Sequence, residues 1–122
     1  MKNPTIRFTL CLVILGISWY AHGQPPRGPL VISPQVNPNK TVIFRYLAPR
    51  ANEVKLNAQF EKAPLAMKKD TLGIWSVTVG PVRPDIYPYS FRVDGIGLMD
   101  PANVAFLTNE RFKASLVDIP DD

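Results

Sequence analysis

The sequence predicts an all-β fold, a two-layer β-sandwich of about seven strands, preceded by a cleavable leader. Three observations point there. Beyond the leader, apolar and polar residues alternate with period two through most of the candidate elements. Those elements are short and are separated by Pro, Gly, Asn and Asp, the residues that turn a chain. No helical stripe interrupts them, and most prolines fall between strands, where a missing N–H does no harm.

Residues 1–23 have the organisation of a signal peptide. Lys2 and Arg7 give a positive start, and Phe8 to Trp19 is an apolar run too short to span a bilayer comfortably. Ala21 and Gly23 then place small residues where a signal peptidase cuts, so the mature chain is expected to begin at Gln24. Cys11 lies within the apolar run without the small residue that precedes a lipidated cysteine. The expected destination is the periplasm or the medium, with no membrane attachment after cleavage.

Cleavage changes the chemistry that remains. Removing 23 of the 122 residues leaves 99, enough for one domain. The single cysteine, Cys11, and the single histidine, His22, leave with the leader. No disulfide is then possible, and the fold depends on its apolar core. Lys2 and Arg7 also leave, which turns 14 basic residues against 10 acidic into 12 against 10. That balance gives no reason to expect nucleic acid as a partner.

The elements follow in order. Residues 24–32 form a Pro-rich, extended lead-in, and the domain proper is expected over 33–120. Thr41 to Ala48 is rich in β-branched and aromatic residues, with Val42, Phe44 and Tyr46 inward and Ile43 and Leu47 outward. Glu53 to Ala58 turns Val54, Leu56 and Ala58 inward and Lys55 and Asn57 outward. Lys68-Lys69-Asp70 reads as a charged turn. Gly73 to Val79 places Trp75, Val77 and Val79 in the core and Ile74 outside. Tyr87 to Val93 buries Tyr87, Tyr89, Phe91 and Val93 and leaves Ser90 and Arg92 outside. Asp94-Gly95 is a turn, Ile96 to Met99 a short strand, Asp100-Pro101 a stop, and Ala114 to Ile119 the last strand.

Catalytic machinery is hard to build from these residues. Without His or Cys the mature chain cannot form a Ser-His-Asp or Cys-His arrangement, nor a usual zinc site. Ser33, Ser76, Ser90 and Ser115 all lie outside any Gly-x-Ser-x-Gly elbow. Asp94 and Asp100 could be read as a glycosidase pair, or with Asn103 as a Ca²⁺ site. Each precedes a turn residue, however, which makes capping of local backbone the expected role. No cofactor and no metal are expected. The aromatics Trp75, Tyr87, Tyr89 and Phe91 could make a sugar-stacking platform, but all fall on faces assigned to the core.

The run GIWSVTVGPVRPDIYPYSFRVDG from Gly73, followed by IGLMDPAN, resembles the N-terminal immunoglobulin-like (E-set) domain of secreted bacterial esterases. These are feruloyl and acetyl-xylan esterases of carbohydrate esterase family 1, also labelled enterochelin-esterase-like. SPQVNPNKTVIFRYLAPRANEVKL and KASLVDIP fit the same domain, so the resemblance covers Ser33 to Pro120. The fold is similar to that of glycogen-binding modules in branching enzymes, isoamylases and the AMP-activated kinase β subunit. Those modules grip glucan with two tryptophans and a lysine. This chain has Gly97 and Ser90 at two of these positions, and Glu61-Lys62-Ala63 after Phe60 supplies no tryptophan. The resemblance implies the scaffold without the starch grip.

It also implies a role without catalysis. The expected function is an accessory or docking domain for an α/β-hydrolase esterase domain of the same gene, absent here, with Asp121-Asp122 starting the linker. Ile43, Leu47 and Ile74 are the candidate docking positions, an outward apolar set on adjoining strands. Two alternatives stand beside it. One is a carbohydrate-binding module for xylan or a related plant cell-wall polysaccharide, using Ser90, Arg92, Gly97 and Met99. The other is a stand-alone periplasmic interaction domain.

Overall fold

The computed structural model describes residues 28–108 and 113–121. The predicted leader with Cys11 and His22, its cleavage site and residues 24–27 lie outside the described residues, as does Asp122.

The described residues form two antiparallel sheets and no helix. The smaller sheet orders β1 (Gln35–Val36), β2 (Val42–Leu47), β6 (Ile74–Val79) and β5 (Lys68–Lys69). The larger orders β4 (Leu65–Ala66), β3 (Val54–Ala58), β7 (Asp85–Val93), β10 (Lys113–Ile119) and β9 (Phe106–Thr108), with β8 (Ile96–Leu98) also paired to β7. This is a β-sandwich of the immunoglobulin-like kind. The described residues hold ten strands where periodicity predicts about seven, because two-residue strands such as β1, β4 and β5 are too short to alternate.

The core forms where the inner faces meet. Val42 and Phe44 of β2, Trp75 and Val79 of β6, Val54 and Leu56 of β3, Tyr89 and Phe91 of β7, and Val117 and Ile119 of β10 are all buried. Register explains which aromatics touch. Phe44 meets Tyr89 edge-on at 4.7 Å between ring centroids, and Tyr46 meets Phe91 at 5.1 Å. Such tilted contacts favour the ring quadrupoles beyond simple area burial. Trp75 satisfies its indole N–H on the Ala48 carbonyl at 2.8 Å, so its burial leaves no polar atom stranded.

The turns follow their residues. Asp94 and Gly95 have φ of +48° and +84°, the two positive values a type I′ hairpin between β7 and β8 demands. Asp94 Oδ1 also accepts the backbone N–H of Asn52 and Glu53, at 2.9 and 2.8 Å, fixing the entry to β3. Asp70 caps its own turn, accepting from the N–H of Leu72 and Ile74.

Two expectations need correction. Lys68-Lys69 is not part of the turn; it is β5, an edge strand paired with Ser76 and Trp75 of β6. Ile74 does lie on the outer side of β6, opposite Leu47, but it is only 8 % exposed. The lead-in accounts for this. Residues 28–32 run over the outer side of the smaller sheet, where the Arg45 guanidinium holds the Ile32 carbonyl at 3.0 Å. Leu30 and Ile32 line the same surface as Ile74 and Arg45. Ile74 is therefore covered by its own chain; Leu47 across from it and Ile43, further along β2 opposite Thr78, are half-buried.

Candidate functional site

A concave surface lies on the outer side of the larger sheet, where alternation places polar side chains. Asn57 of β3 sits directly across from Ser90 of β7. Ala114 of β10 and Leu107 of β9 are paired one strand further on. Together with Pro88, and with Gln59, Glu61 and Lys113 at the rim, they line a shallow groove of about 720 Å³. Its floor offers amide and hydroxyl groups, its walls some apolar surface, and its rim one charge of each sign.

The next row on the same face is basic. Lys55 of β3 pairs directly with Arg92 of β7, and Gly97 of β8 lies on the other side of Arg92. A side chain at Gly97 would meet nothing within 4 Å, so the sheet is bare there. Of the residues singled out from sequence, Ser90 lines the groove, and Arg92 and Gly97 stand one row above it. Met99 does not join them; it is half-buried beyond the end of β8. Ile43, Leu47 and Ile74 belong to the opposite side of the sandwich. The residues missed from sequence are Asn57, Lys55, Leu107 and Ala114, whose place beside Ser90 and Arg92 depends on strand register.

Beneath this face lies a buried polar cluster. Asp100, 3 % exposed, accepts the Tyr89 hydroxyl at 2.7 Å and the Ala102 N–H at 2.9 Å. Asn103 donates to the Tyr89 oxygen at 3.0 Å and to the Leu116 carbonyl at 2.8 Å. Ser115 accepts the Asp100 N–H at 2.8 Å. Ser33 accepts the Arg45 N–H at 3.0 Å, which leaves its hydroxyl proton for Asp100. The carboxylate thus ties the start of the smaller sheet to the larger one. Burial pushes the Asp100 carboxyl above its ordinary range, against the opposing effect of bonds from Ser33, Tyr89 and Ala102. Burial, and then the bond to Asp100, also raises the Tyr89 hydroxyl above its usual value.

Asp94 and Asp100 therefore act apart, and only Asp100 caps backbone close to it in sequence, at Ala102; Asp94 holds the N–H groups of Asn52 and Glu53, about forty residues away. No group of three or more His, Cys, Asp or Glu side chains able to hold a metal occurs among the described residues. Trp75, Tyr89 and Phe91 are buried and Tyr87 is half-buried against Phe60, so none of them forms an outward platform.

No protein-family model matches the chain, and no curated protein does. Solved structures do share its fold. A putative α-amylase from Salmonella typhimurium is 26% identical with a TM-score of 0.53, over 64% of this chain and 13% of that one. PulA from Klebsiella pneumoniae is 24% identical with a TM-score of 0.55, over 73% and 10%. PulA from Klebsiella oxytoca is 22% identical with a TM-score of 0.53, over 70% and 9%. The chain spans only about a tenth of the length of these proteins. It is a small immunoglobulin-like sandwich of a kind that forms a minor part of large amylase and pullulanase chains, and that likeness is not specific to esterases.

Proposed function

We propose that this chain is a non-catalytic accessory domain of a secreted carbohydrate-active hydrolase, and that the hydrolase is an esterase of the kind its sequence resembles. The observation that carries the reading is the fold match, in which 64% of this chain corresponds to 13% of a putative α-amylase and 73% of it to 10% of PulA. The roles of the carboxylates support it. Asp94 and Asp100 are engaged in holding loops and sheets together, which leaves them poorly placed to exchange protons with a substrate. The amylase and pullulanase names favour a carbohydrate context; the run from Gly73 to Asn103 favours an esterase within it. The test is genetic and then physical. The DNA following codon 122 is expected to encode an α/β-hydrolase domain with a Gly-x-Ser-x-Gly elbow. Adding that domain is expected to raise the melting temperature of the present chain, since binding to the folded state stabilises it. A locus without a hydrolase in any frame overturns the reading.

A second reading, carbohydrate binding by the domain itself, is favoured by the groove over Asn57, Pro88 and Ser90. Its neutral donors and acceptors suit sugar hydroxyls. Retention on insoluble xylan tests it, and passage through the matrix at low salt without delay overturns it.

A further inference from the structure

We infer that the outer side of the larger sheet carries an anion site for a saccharide carboxylate, formed by Arg92 and Lys55 at the edge of the polar groove. The inference rests on the second reading above and names the ligand class it would take: a uronate-bearing oligosaccharide.

Cross-strand register is the first argument. Lys55 and Arg92 are directly opposed on β3 and β7, where side chains of an antiparallel pair come within contact range. Two positive charges at such positions repel, and a sheet built only for stability would place an acid or a neutral residue at one of them. The row contains no compensating acid. Ala66 of β4 flanks Lys55 on the far side, and Gly97 flanks Arg92. Glu53 reaches Lys55 at 3.5 Å, but its side chain is 59% exposed, and such a pair contributes little. The Arg92 side chain is exposed and makes no hydrogen bond or ion pair with any described residue.

Shape is the second argument. Gly97 leaves open space beside the guanidinium, and Ala66 leaves little side chain beside the ammonium. A planar carboxylate can approach Arg92 there and be held by two parallel N–H bonds, the geometry for which guanidinium is suited. The third argument is what lies one row along the face. Asn57 and Ser90 present an amide and a hydroxyl next to the cations, within the groove that also holds Pro88. A group with a carboxylate at one end and hydroxyls at the other fits this order. A phosphodiester chain fits poorly, because Glu61 lies on the rim and would repel a second negative charge.

The test uses the purified full chain and calorimetric titration with a neutral oligosaccharide carrying a single uronate, its methyl ester, inorganic phosphate and a DNA oligonucleotide. The acid is expected to bind and the ester to bind about tenfold more weakly or not at all, the loss a charged hydrogen-bonded contact represents. Arg92→Gln and Lys55→Gln are each expected to weaken binding of the acid. Neither is expected to lower the melting temperature, because each removes a like-charge opposition. That combination separates a ligand contact from a structural role. Equal binding of acid and ester, unaffected by Arg92→Gln, overturns the anion site and leaves the carbohydrate reading standing. Binding of neither overturns both. Phosphate or a DNA oligonucleotide binding as tightly as the acid overturns the saccharide assignment in favour of a general anion patch.

Discussion

Asp100 shows how much one side chain can carry in a small sandwich. It is a buried carboxylate whose partners, Tyr89, Ser33 and Ala102, are all uncharged. Its proton is held more tightly in the folded state than in the unfolded chain, where the ordinary value is near 3.8. The stability from this group is therefore complete below that pH and is lost as pH rises through the higher folded value. Asp100→Asn should remove this dependence. In urea unfolding across roughly pH 3 to 7, the native chain is expected to lose ground to the variant as pH rises. A difference that stays constant with pH would show that burial does not perturb Asp100. Tyr89→Phe deletes the hydroxyl that joins Asp100 to Asn103 and should cost about 1–3 kcal/mol in the same assay. The sequence shows Asp100-Pro101 as a turn signal and nothing more. Tyr89 and Ser33, which make it a link between sheets, are far away along the chain.

At the scale of elements, β6 and the turn before it are the most sensitive. Gly73 has φ of +82°, and a Cβ there would stand 2.6 Å from the ring of Pro49 and 2.7 Å from its Cα. Gly73→Ala is therefore strained by backbone and by contact, and a loss of more than about 1 kcal/mol is expected from thermal or urea melts. Trp75→Ala should cost about 3–5 kcal/mol, because it empties a large buried site and removes the indole N–H from the Ala48 carbonyl, which keeps only the Ala51 N–H at 3.2 Å. The long strands are legible in the sequence because their alternation is strong: in β6, Trp75, Val77 and Val79 recur on one face. Ile74 shows the limit of that signal. Period two assigns its side of the strand correctly, but exposure depends on what lies above, and residues 28–32 supply a cover that local pattern cannot reveal. The same holds for the groove. Ser90 and Arg92 can be read as outward, whereas Asn57 and Lys55 become their neighbours only through the pairing of β3 with β7.

For the molecule as a whole, the absence of a His or Cys in residues 24–122 leads to a direct expectation. The purified chain should hydrolyse neither aryl acetates nor feruloyl esters above background, and activity that follows the protein peak through purification would contradict this. Glycogen is a second whole-surface test. The bare position at Gly97 and the small side chain at Ser90 remove the stacking and charge by which similar modules hold glucan. No delay is expected in native gels containing glycogen; a shift abolished by soluble glucan would mean that another surface binds.

Met67 has a consequence for solubility. It is buried between β4 and β5, and its N–H donates to the Val54 carbonyl at 2.9 Å. In five residues, Leu65 to Lys69, the chain closes the side of β3 in one sheet, passes to the other at the margin of the sandwich, and closes the side of β6 there. Without that crossing, the apolar strands Val54–Ala58 and Ile74–Val79 would each present an unpaired backbone edge, the template on which chains add to one another. One short crossing, ending in two lysines that repel an incoming strand, guards both edges at once. Proline at position 67, which deletes the bond to Val54, is therefore expected to show itself less in lost secondary structure than in self-association, visible as light scattering that grows with protein concentration.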